Sequence, residues 1–273
     1  MRRPTIVGVL NITPDSFSDG GNFLSFGDAV DRAGRMIDDG ADVIELGGES
    51  TRPGAQSVPA EEEIARVIPV LEAIVNGWPS ARVAVDTVKG SVAKSAIAAG
   101  ATVVNDVSAL RLDPSIADLC ASSGCMLILM HSRGDVTDMA GYAHATYESG
   151  DVVGAVAAEL GAAADVALRA GVCRDRIVLD PGLGFSKRTA QSVQALANLP
   201  RLVELGFAVM VGASRKRFIG ELTGVKEAAE RGAGTVGANV AALTLGATWF
   251  RVHDVRENRH ALDAAAAILE ARA

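Results

Sequence analysis

Cysteine, histidine, aromatics and basic charge are all in short supply in this chain, and each shortage excludes something. Three cysteines occur in 273 residues. Cys120, Cys125 and Cys173 are odd in number and form no Cys-x-x-Cys pair, so neither a disulfide scaffold nor a thiolate zinc site is expected. They read as reduced, buried structural thiols in a cytoplasmic protein. Aromatics make up only 4%, and Ala, Gly and Val predominate, which suits close packing of helices on a sheet. The apolar stretch 125–130 is too short to cross a bilayer. Residues Met1-Arg2-Arg3-Pro4 run directly into a strand-like segment, without the apolar region a secretion signal needs. The net charge of −7 speaks against a nucleic-acid or membrane-surface partner, which would need a basic face. A few placed Arg and Lys can still hold a small anion.

What is present is hydrophobic patterning. Hydrophobic residues reach 49%, and the length is close to the ~250 residues typical of a (β/α)₈ barrel. Short Val/Ile-rich runs at 5–10, 42–46, 82–85, 102–105, 126–130, 176–179, 208–211 and 248–252 read as strands. Amphipathic stretches at 28–38, 60–75, 90–99, 151–170, 233–245 and 259–271 read as helices. Strands alternating with helices imply a parallel sheet with crossover connections. Eight such units point to an α/β fold closed as one (β/α)₈ TIM barrel, although periodicity alone also permits a doubly wound sheet. No linker or low-complexity segment interrupts the chain, so one domain over residues 1–273 is expected.

Most of the apolar strands run into polar groups: Asn11, Glu45 and Glu49, Asp86, Asn105 and Asp106, His131, Asp180, the Ser214-Arg215-Lys216 turn, and Arg251 with His253 and Asp254. In a barrel these ends share the rim where barrel enzymes place their chemistry, and the active site is expected there. A polar residue at any one strand end needs no more explanation than a cap meeting water. Asp86, Asn105 and Asp180 together at one apolar mouth are costly unless a ligand or an internal network satisfies them. A heterocycle edge carrying N–H groups beside ring acceptors is such a ligand.

Five segments carry the chemistry. Asn11-Ile12-Thr13-Pro14-Asp15-Ser16-Phe17-Ser18-Asp19-Gly20-Gly21 offers an amide oxygen and carboxylates for a hard cation such as Mg²⁺. Its glycines and nearby Phe suit a lid that excludes water. Gly47-Gly48-Glu49-Ser50-Thr51-Arg52-Pro53-Gly54 combines backbone donors, a hydroxyl and a stiffened Arg, which suits phosphate or carboxylate. The Asp86, Asn105 and Asp180 set is the third. The run Arg215-Lys216-Arg217 follows strand seven, where barrels often hold phosphate. Arg251 and His253, two apart on a strand, share a face and read as a cationic pair for a pyrophosphate. His144 and His260 lack such surroundings and read as surface or helix residues.

Taken in order from residue 5 to residue 255, these segments resemble the dihydropteroate synthase family. The further pieces are Val85-Asp86-Thr87, Asn105-Asp106-Val107-Ser108, Leu129-Met130-His131 and Asp180-Pro181-Gly182-Leu183-Gly184-Phe185. The resemblance implies 6-hydroxymethyl-7,8-dihydropterin pyrophosphate and 4-aminobenzoate as substrates, Mg²⁺ as cofactor, and a homodimer through the later helices. It places the pterin on Asp86, Asn105, Asp180 and Lys216, with Met130 and Phe185 against it. It places pyrophosphate on Asn11 through the metal and on Arg251 and His253, with Thr51 and Arg52 close by. It places 4-aminobenzoate near Phe17, Thr51, Arg52, Pro53, Phe185 and Lys216. Asn11, Asp19, Lys216, Arg251 and His253 are the implied catalytic set. On that division, Arg251→Ala impairs pyrophosphate handling more than binding of the bare pterin.

The chain departs from the family's common pattern twice. Many members read Gly-Lys-Thr after the Phe185 position, where this chain has Ser186-Lys187-Arg188-Thr189. Many read Met-Gln-Gly-x-Pro after the His131 position, where it has Ser132-Arg133-Gly134-Asp135-Val136. Both changes bear on loop conformation. A methyltetrahydrofolate:corrinoid methyltransferase shares the pterin-binding barrel and the Asp and Asn set, but the first loop, Thr51-Arg52-Pro53 and Ser214-Arg215-Lys216 fit only the synthase. A non-enzymatic pterin-binding paralogue is expected to lose residues of loops one or two, and all are present.

Overall fold

The computed structural model describes residues 3–13, 25–51 and 55–271. Eight parallel strands close into a barrel in chain order, and the eighth pairs back onto the first. The strands are β1 (Thr5–Asn11), β2 (Val43–Gly47), β3 (Arg82–Asp86), β4 (Val103–Asp106), β5 (Met126–Met130), β6 (Ile177–Asp180), β7 (Ala208–Val211) and β8 (Trp249–Val252). The doubly wound alternative is thereby excluded. Ten helices alternate with them among the described residues: α1 (Phe26–Asp38), α2 (Ala60–Gly77), α3 (Gly90–Ala98), α4 (Ser115–Ser123), α5 (Val152–Ala170), α6 (Thr189–Ala197), α7 (Pro200–Val203), α8 (Arg217–Thr223), α9 (Gly232–Thr244) and α10 (Val255–Glu270).

Sequence chemistry accounts for the helix ends. Ser25 and Asp28 form a reciprocal capping box at the start of α1. Asp151 caps α5 by accepting from the Gly154 N–H at 2.8 Å. That helix stops at Gly171, which takes the left-handed conformation open to glycine. Helix α10 starts at Val255, four residues ahead of the expected 259. Helices α4, α6, α7 and α8 are not among the expected elements; at nine residues or fewer their 3.6-residue period registers weakly, although α3, equally short, is an expected element. The cysteine reading holds for Cys120 and Cys125, which are buried, and is corrected for Cys173, which is exposed. No described helix is long and apolar enough to cross a membrane.

The two faces of each strand do different work. One face joins the helices in the outer core, as with Ile6, Ile44, Val83, Leu127, Leu179 and Phe250. The other points into the barrel. Val7, Val43, Ala84, Val103, Ile128, Val178, Met210 and Trp249, one from each strand, form a dry inner plug. Below it, Arg82 lies over the Trp249 ring at 5.4 Å and donates to Met126 Sδ. Side chains alternate along a strand, so the next inward position on every strand lies two residues further on. Those positions are Val9, Glu45, Asp86, Asn105, Met130, Asp180, Gly212 and Arg251. Five of these eight are polar or charged, so the barrel interior turns from wholly apolar to largely polar in one step, at the C-terminal rim.

Candidate active site

Above this polar layer opens a cavity of about 490 Å³. Asn11, Thr51, Asp86, Phe185, Lys216, Arg251 and His253 of the expected set line it, with Glu49, Ser214 and Arg215 beside them. Asn105, Asp180 and Met130 are buried in the wall. Met130 and Phe185 join Val88, Val107 and Met139 in a small apolar cluster, of which Phe185 borders the cavity. Phe17, Asp19, Arg52 and Pro53, and the metal candidate Asp15, lie outside the described residues.

Asp180 is held at the end of β6. Its Oδ1 accepts the Gly182 N–H at 2.7 Å, and its Oδ2 lies 3.7 Å from where a Cβ on Gly212 would stand. Gly182 has φ +64°, and a Cβ there would meet the His131 carbonyl at 2.0 Å, so the turn that presents Asp180 requires glycine. Burial raises the Asp180 carboxyl above the usual range. Burial, helped by the Glu45 charge, pushes Asp86 up to about 8.

Arg251 does not stand free over the mouth. Its Nε donates to Glu45 Oε1 at 2.5 Å and its Nη2 to Asp86 Oδ2 at 3.0 Å. Against the effect of burial, Glu45 first and Asp86 when ionised hold it firmly protonated. Glu45 is fully buried, and its Oε2 accepts from Asn105 Nδ2 at 2.9 Å. Sequence reading placed Glu45 at a strand end but gave it no role. The signal that finds it is its inward parity with Val43, the last apolar residue of the plug.

The expected cationic pair is corrected at His253. Burial and the charges of Arg251 and Arg215 press its imidazole down to about 3, so it is neutral at physiological pH. Ser214 Oγ accepts the His253 backbone N–H at 3.1 Å and lies 2.9 Å from Nδ1. In the tautomer where that hydroxyl donates to Nδ1, Nε2 carries a hydrogen and serves as a neutral donor.

The run Arg215-Lys216-Arg217 separates in space. Arg215, at φ +58°, makes a two-pronged pair with Asp254. Arg217 is exposed and stacks on Tyr142. All three border the cavity, but Lys216 is the one that lies over the Phe185 ring, with Nζ 4.0 Å above it and 2.5 Å from the Leu183 carbonyl. Burial brings its ammonium down to about 7.

Asn11 ends β1 beside Gly47 of β2, and a Cβ on Gly47 would lie 3.3 Å from its Oδ1. The amide oxygen is thus one hard donor at the rim. No group of three His, Cys, Asp or Glu suited to a metal occurs among the described residues.

Two supporting networks were not legible in the sequence. Lys187 is 1% exposed; its Nζ reaches His131 Nδ1 at 2.8 Å and the carbonyls of Phe185 and Gly182 at 3.1 and 3.2 Å. His131, pressed down to about 4 by burial and by Lys187, meets Glu159 at 3.1 Å on its other nitrogen. His131 therefore braces the turn after β6 from outside the mouth. The second network is Lys89, which joins Glu49 at 2.8 Å and Glu63 at 2.6 Å. Glu49 in turn accepts the Val58 N–H at 2.7 Å, which anchors the loop carrying Thr51.

The two departures from the common pattern meet each other. Ser186 has φ +47°, and its hydroxyl accepts the Arg133 N–H at 3.0 Å and donates to the carbonyls of Arg133 and Met139. A serine in a left-handed position is compensated by these bonds across the two loops. Of the two histidines set aside, exposed His260 lies on α10, and half-buried His144 sits in a loop against Asp138 at 2.8 Å.

A family model for pterin binding enzymes matches residues 7–253. The chain is 40% identical over 254 residues to the dihydropteroate synthase of Synechocystis, covering 93% of this chain and 86% of that one. It is 41% identical to a mitochondrial folate synthesis bifunctional protein of Arabidopsis thaliana, over 98% of this chain, and spans only 50% of that longer relative. The dihydropteroate synthase of Xanthomonas albilineans, solved with 4-aminobenzoic acid, superposes with a TM-score of 0.89 at 45% identity, over 98% of this chain and 94% of that one. With a rim that holds Asp86, Asn105 and Asp180 below Lys216, Arg251 and His253, and relatives at this identity over nearly the whole barrel, the chain belongs to the dihydropteroate synthase family of pterin-binding enzymes.

Proposed function

We propose that this barrel, as one domain over residues 1–273, condenses 6-hydroxymethyl-7,8-dihydropterin pyrophosphate with 4-aminobenzoate to give 7,8-dihydropteroate and pyrophosphate. The observation that carries the reading is the inward layer of Asp86, Asn105 and Asp180 beneath a cavity edged by cations. The pterin enters first and lies flat between Met130 and Phe185. Asp180 accepts two parallel hydrogen bonds from its 2-amino and N3–H edge. Lys216, over Phe185, meets the ring acceptors.

Pyrophosphate then lies above, toward Asn11, Thr51 and Arg52, with His253 as neutral donor and Arg251 supplying positive charge beneath. Mg²⁺ fits as an ion held by one protein oxygen, Asn11 Oδ1, its shell completed by phosphate oxygens and water; bound there, it would neutralise leaving-group charge. Asp19 belongs to the same catalytic set. The C–O bond to pyrophosphate breaks, and the electron pair leaves with it. The cation left at the exocyclic methylene spreads into the electron-rich dihydropterin. The amine lone pair of 4-aminobenzoate, bound near Phe17, Thr51, Arg52, Pro53, Phe185 and Lys216, forms the new C–N bond. Its surplus proton passes to pyrophosphate or water. The chemistry needs no strong base: Ser214 does touch His253 Nδ1 at 2.9 Å, but burial and the neighbouring Arg charges press that imidazole down to about 3, which leaves it a weak base. Water must be kept out, since it captures the same cation. A cytoplasmic homodimer joined through the later helices is part of this reading; sedimentation reads the dimer directly.

The test is turnover with Mg²⁺, the pterin pyrophosphate and labelled 4-aminobenzoate, followed by chromatography. Labelled dihydropteroate that vanishes on chelation is expected. Absence of product with pterin binding retained would turn the reading to a non-catalytic pterin binder.

A pH effect follows from the same groups. In the empty mouth Lys216 is protonated below about 7 and neutral above it. Asp86 is neutral below about 8 and negative above it. Raising the pH therefore removes a positive charge and adds a negative one. The affinity advantage of the pyrophosphate ester over the bare pterin is expected to shrink several-fold between pH 7 and pH 9. An advantage that stays constant in calorimetry would exclude these two groups from anion capture.

A further inference from the structure

We infer that Glu45 is a positioning residue that fixes which way the Asn105 amide faces, and so sets the donor sense of the ligand edge this mouth accepts. The inference rests on the pterin reading of the pocket.

Glu45 stands on the inner wall of β2, fully buried, with its two oxygens engaged on opposite sides. Oε1 takes the Arg251 Nε–H at 2.5 Å, and Oε2 takes Asn105 Nδ2 at 2.9 Å. An ionised carboxylate only accepts. Arg251 only donates, and it is kept charged by Glu45 first and by Asp86 when ionised. Hence the nitrogen of the Asn105 amide must turn to Glu45, and its oxygen must turn the other way. Asn105 Oδ1 is buried and has no hydrogen-bond partner among the described residues. A buried acceptor left open is costly until something donates to it. Asn105 is on β4, flanked on the inner wall by Asp86 of β3 and, past Met130 of β5, by Asp180 of β6. If Asp180 takes N3–H and one hydrogen of the 2-amino group, the second hydrogen of that group is directed toward β4. The open oxygen of Asn105 is a fitting acceptor for it.

The chain of contacts predicts an unusual consequence for Glu45→Gln. Arg251 still offers only N–H, so the Gln amide must present its oxygen to Arg251. Its nitrogen then faces Asn105, whose amide has to turn over. The ligand now meets Nδ2–H₂ where it met Oδ1, and two donors oppose one another. Recognition is reversed by a residue that touches no ligand.

The test is calorimetry with two probes, a bare 2-amino-4-oxo pterin and its counterpart lacking the 2-amino group, on the wild-type chain, E45Q, N105A and the double variant. The ratio of the two affinities is read, because effects common to both probes cancel in it. The expected result is a ratio at least about tenfold smaller in E45Q than in wild type, as the loss of one well-made hydrogen bond and its replacement by a donor clash implies. In the N105A background, E45Q is expected to change the ratio no further, since the effect passes through Asn105. An E45Q ratio equal to that of wild type, or an undiminished E45Q effect in the N105A background, would overturn the inference and leave the pterin reading intact. A wild-type chain that binds neither probe would overturn both. Should E45Q fail to fold, E45M/R251M removes the ion pair as a whole, which buried pairs often tolerate. Asn105 is then released from its orientation without being turned over, and a drop in the ratio smaller than that of E45Q is expected; an unchanged ratio there counts against the inference.

Discussion

Asp180→Ala is expected to lower the affinity for the bare pterin by a factor of roughly 10²–10⁴. The estimate comes from two hydrogen bonds to a charged acceptor at about 1.5–3 kcal/mol each, with about 1.4 kcal/mol per decade of affinity. The side chain is placed for this by the Gly182 N–H, which holds Oδ1 at 2.7 Å, while Oδ2 lies beside Gly212 of the neighbouring strand end. Burial makes the empty carboxyl reluctant to ionise, while Lys216, Arg251 and Lys187 pull the other way. A ligand edge with two N–H groups shifts that balance toward the charged form. Asp180→Asn separates the two contributions. It keeps one acceptor and puts an NH₂ in place of the other, so affinity is expected to fall nearly as far while the fold is retained. Calorimetry with the bare pterin decides the matter, and unchanged affinity in either variant would refute the assigned role.

Arg251→Ala is expected to weaken the bare pterin as well as the pyrophosphate ester, and to destabilise the fold. The division expected from sequence, in which Arg251 serves pyrophosphate first, is revised by its contacts. Removing the guanidinium leaves Glu45, which is fully buried, without its cation. It also frees Asp86 from a partner at 3.0 Å. Breaking a buried pair from one side costs about 3–5 kcal/mol. For a chain of this size that lowers the thermal midpoint by on the order of 10 °C. Glu45 also loses the restraint that makes it an acceptor for Asn105, so the pterin wall loosens with it. Thermal unfolding and calorimetry on the same preparation check both statements. A midpoint within a degree of wild type, with only the pyrophosphate ester weakened, would restore the simpler division.

Much of the site was legible because its placement is local. Asp86, Asn105 and Asp180 lie at the ends of short Val/Ile runs, and strand parity alone puts them on the same face as Ala84, Val103 and Val178. The pairing of Arg251 with His253 on one face follows from the same period. What parity does not tell is the charge state reached there. His253 was expected as a cation, and burial beside Arg251 and Arg215 makes it neutral. The Arg215-Lys216-Arg217 run looked like one basic patch, but the positive φ at Arg215 turns its neighbours to different sides. Lys187 carried no signal at all, since an isolated Lys in a turn is ordinarily solvated, whereas here three acceptors from two loops enclose it.

The amino-acid sequence by itself determined the alternation of eight strands with helices, the one-step change from apolar to largely polar along the inward faces, and the residue types gathered at the rim. These depend on spacings of two to four residues, over which backbone geometry leaves little choice. Tertiary structure alone decided the pairings. Arg251 meets Glu45 across 206 residues and Asp86 across 165, and Lys187 meets His131 across 56. No local period encodes such contacts, because they exist only once the barrel has closed and β8 lies beside β1. Closure buries the layer beneath the mouth, and in that low-dielectric setting buried charges need partners. The partners it found set the protonation of Asp86, Lys216 and His253 and the facing of the Asn105 amide.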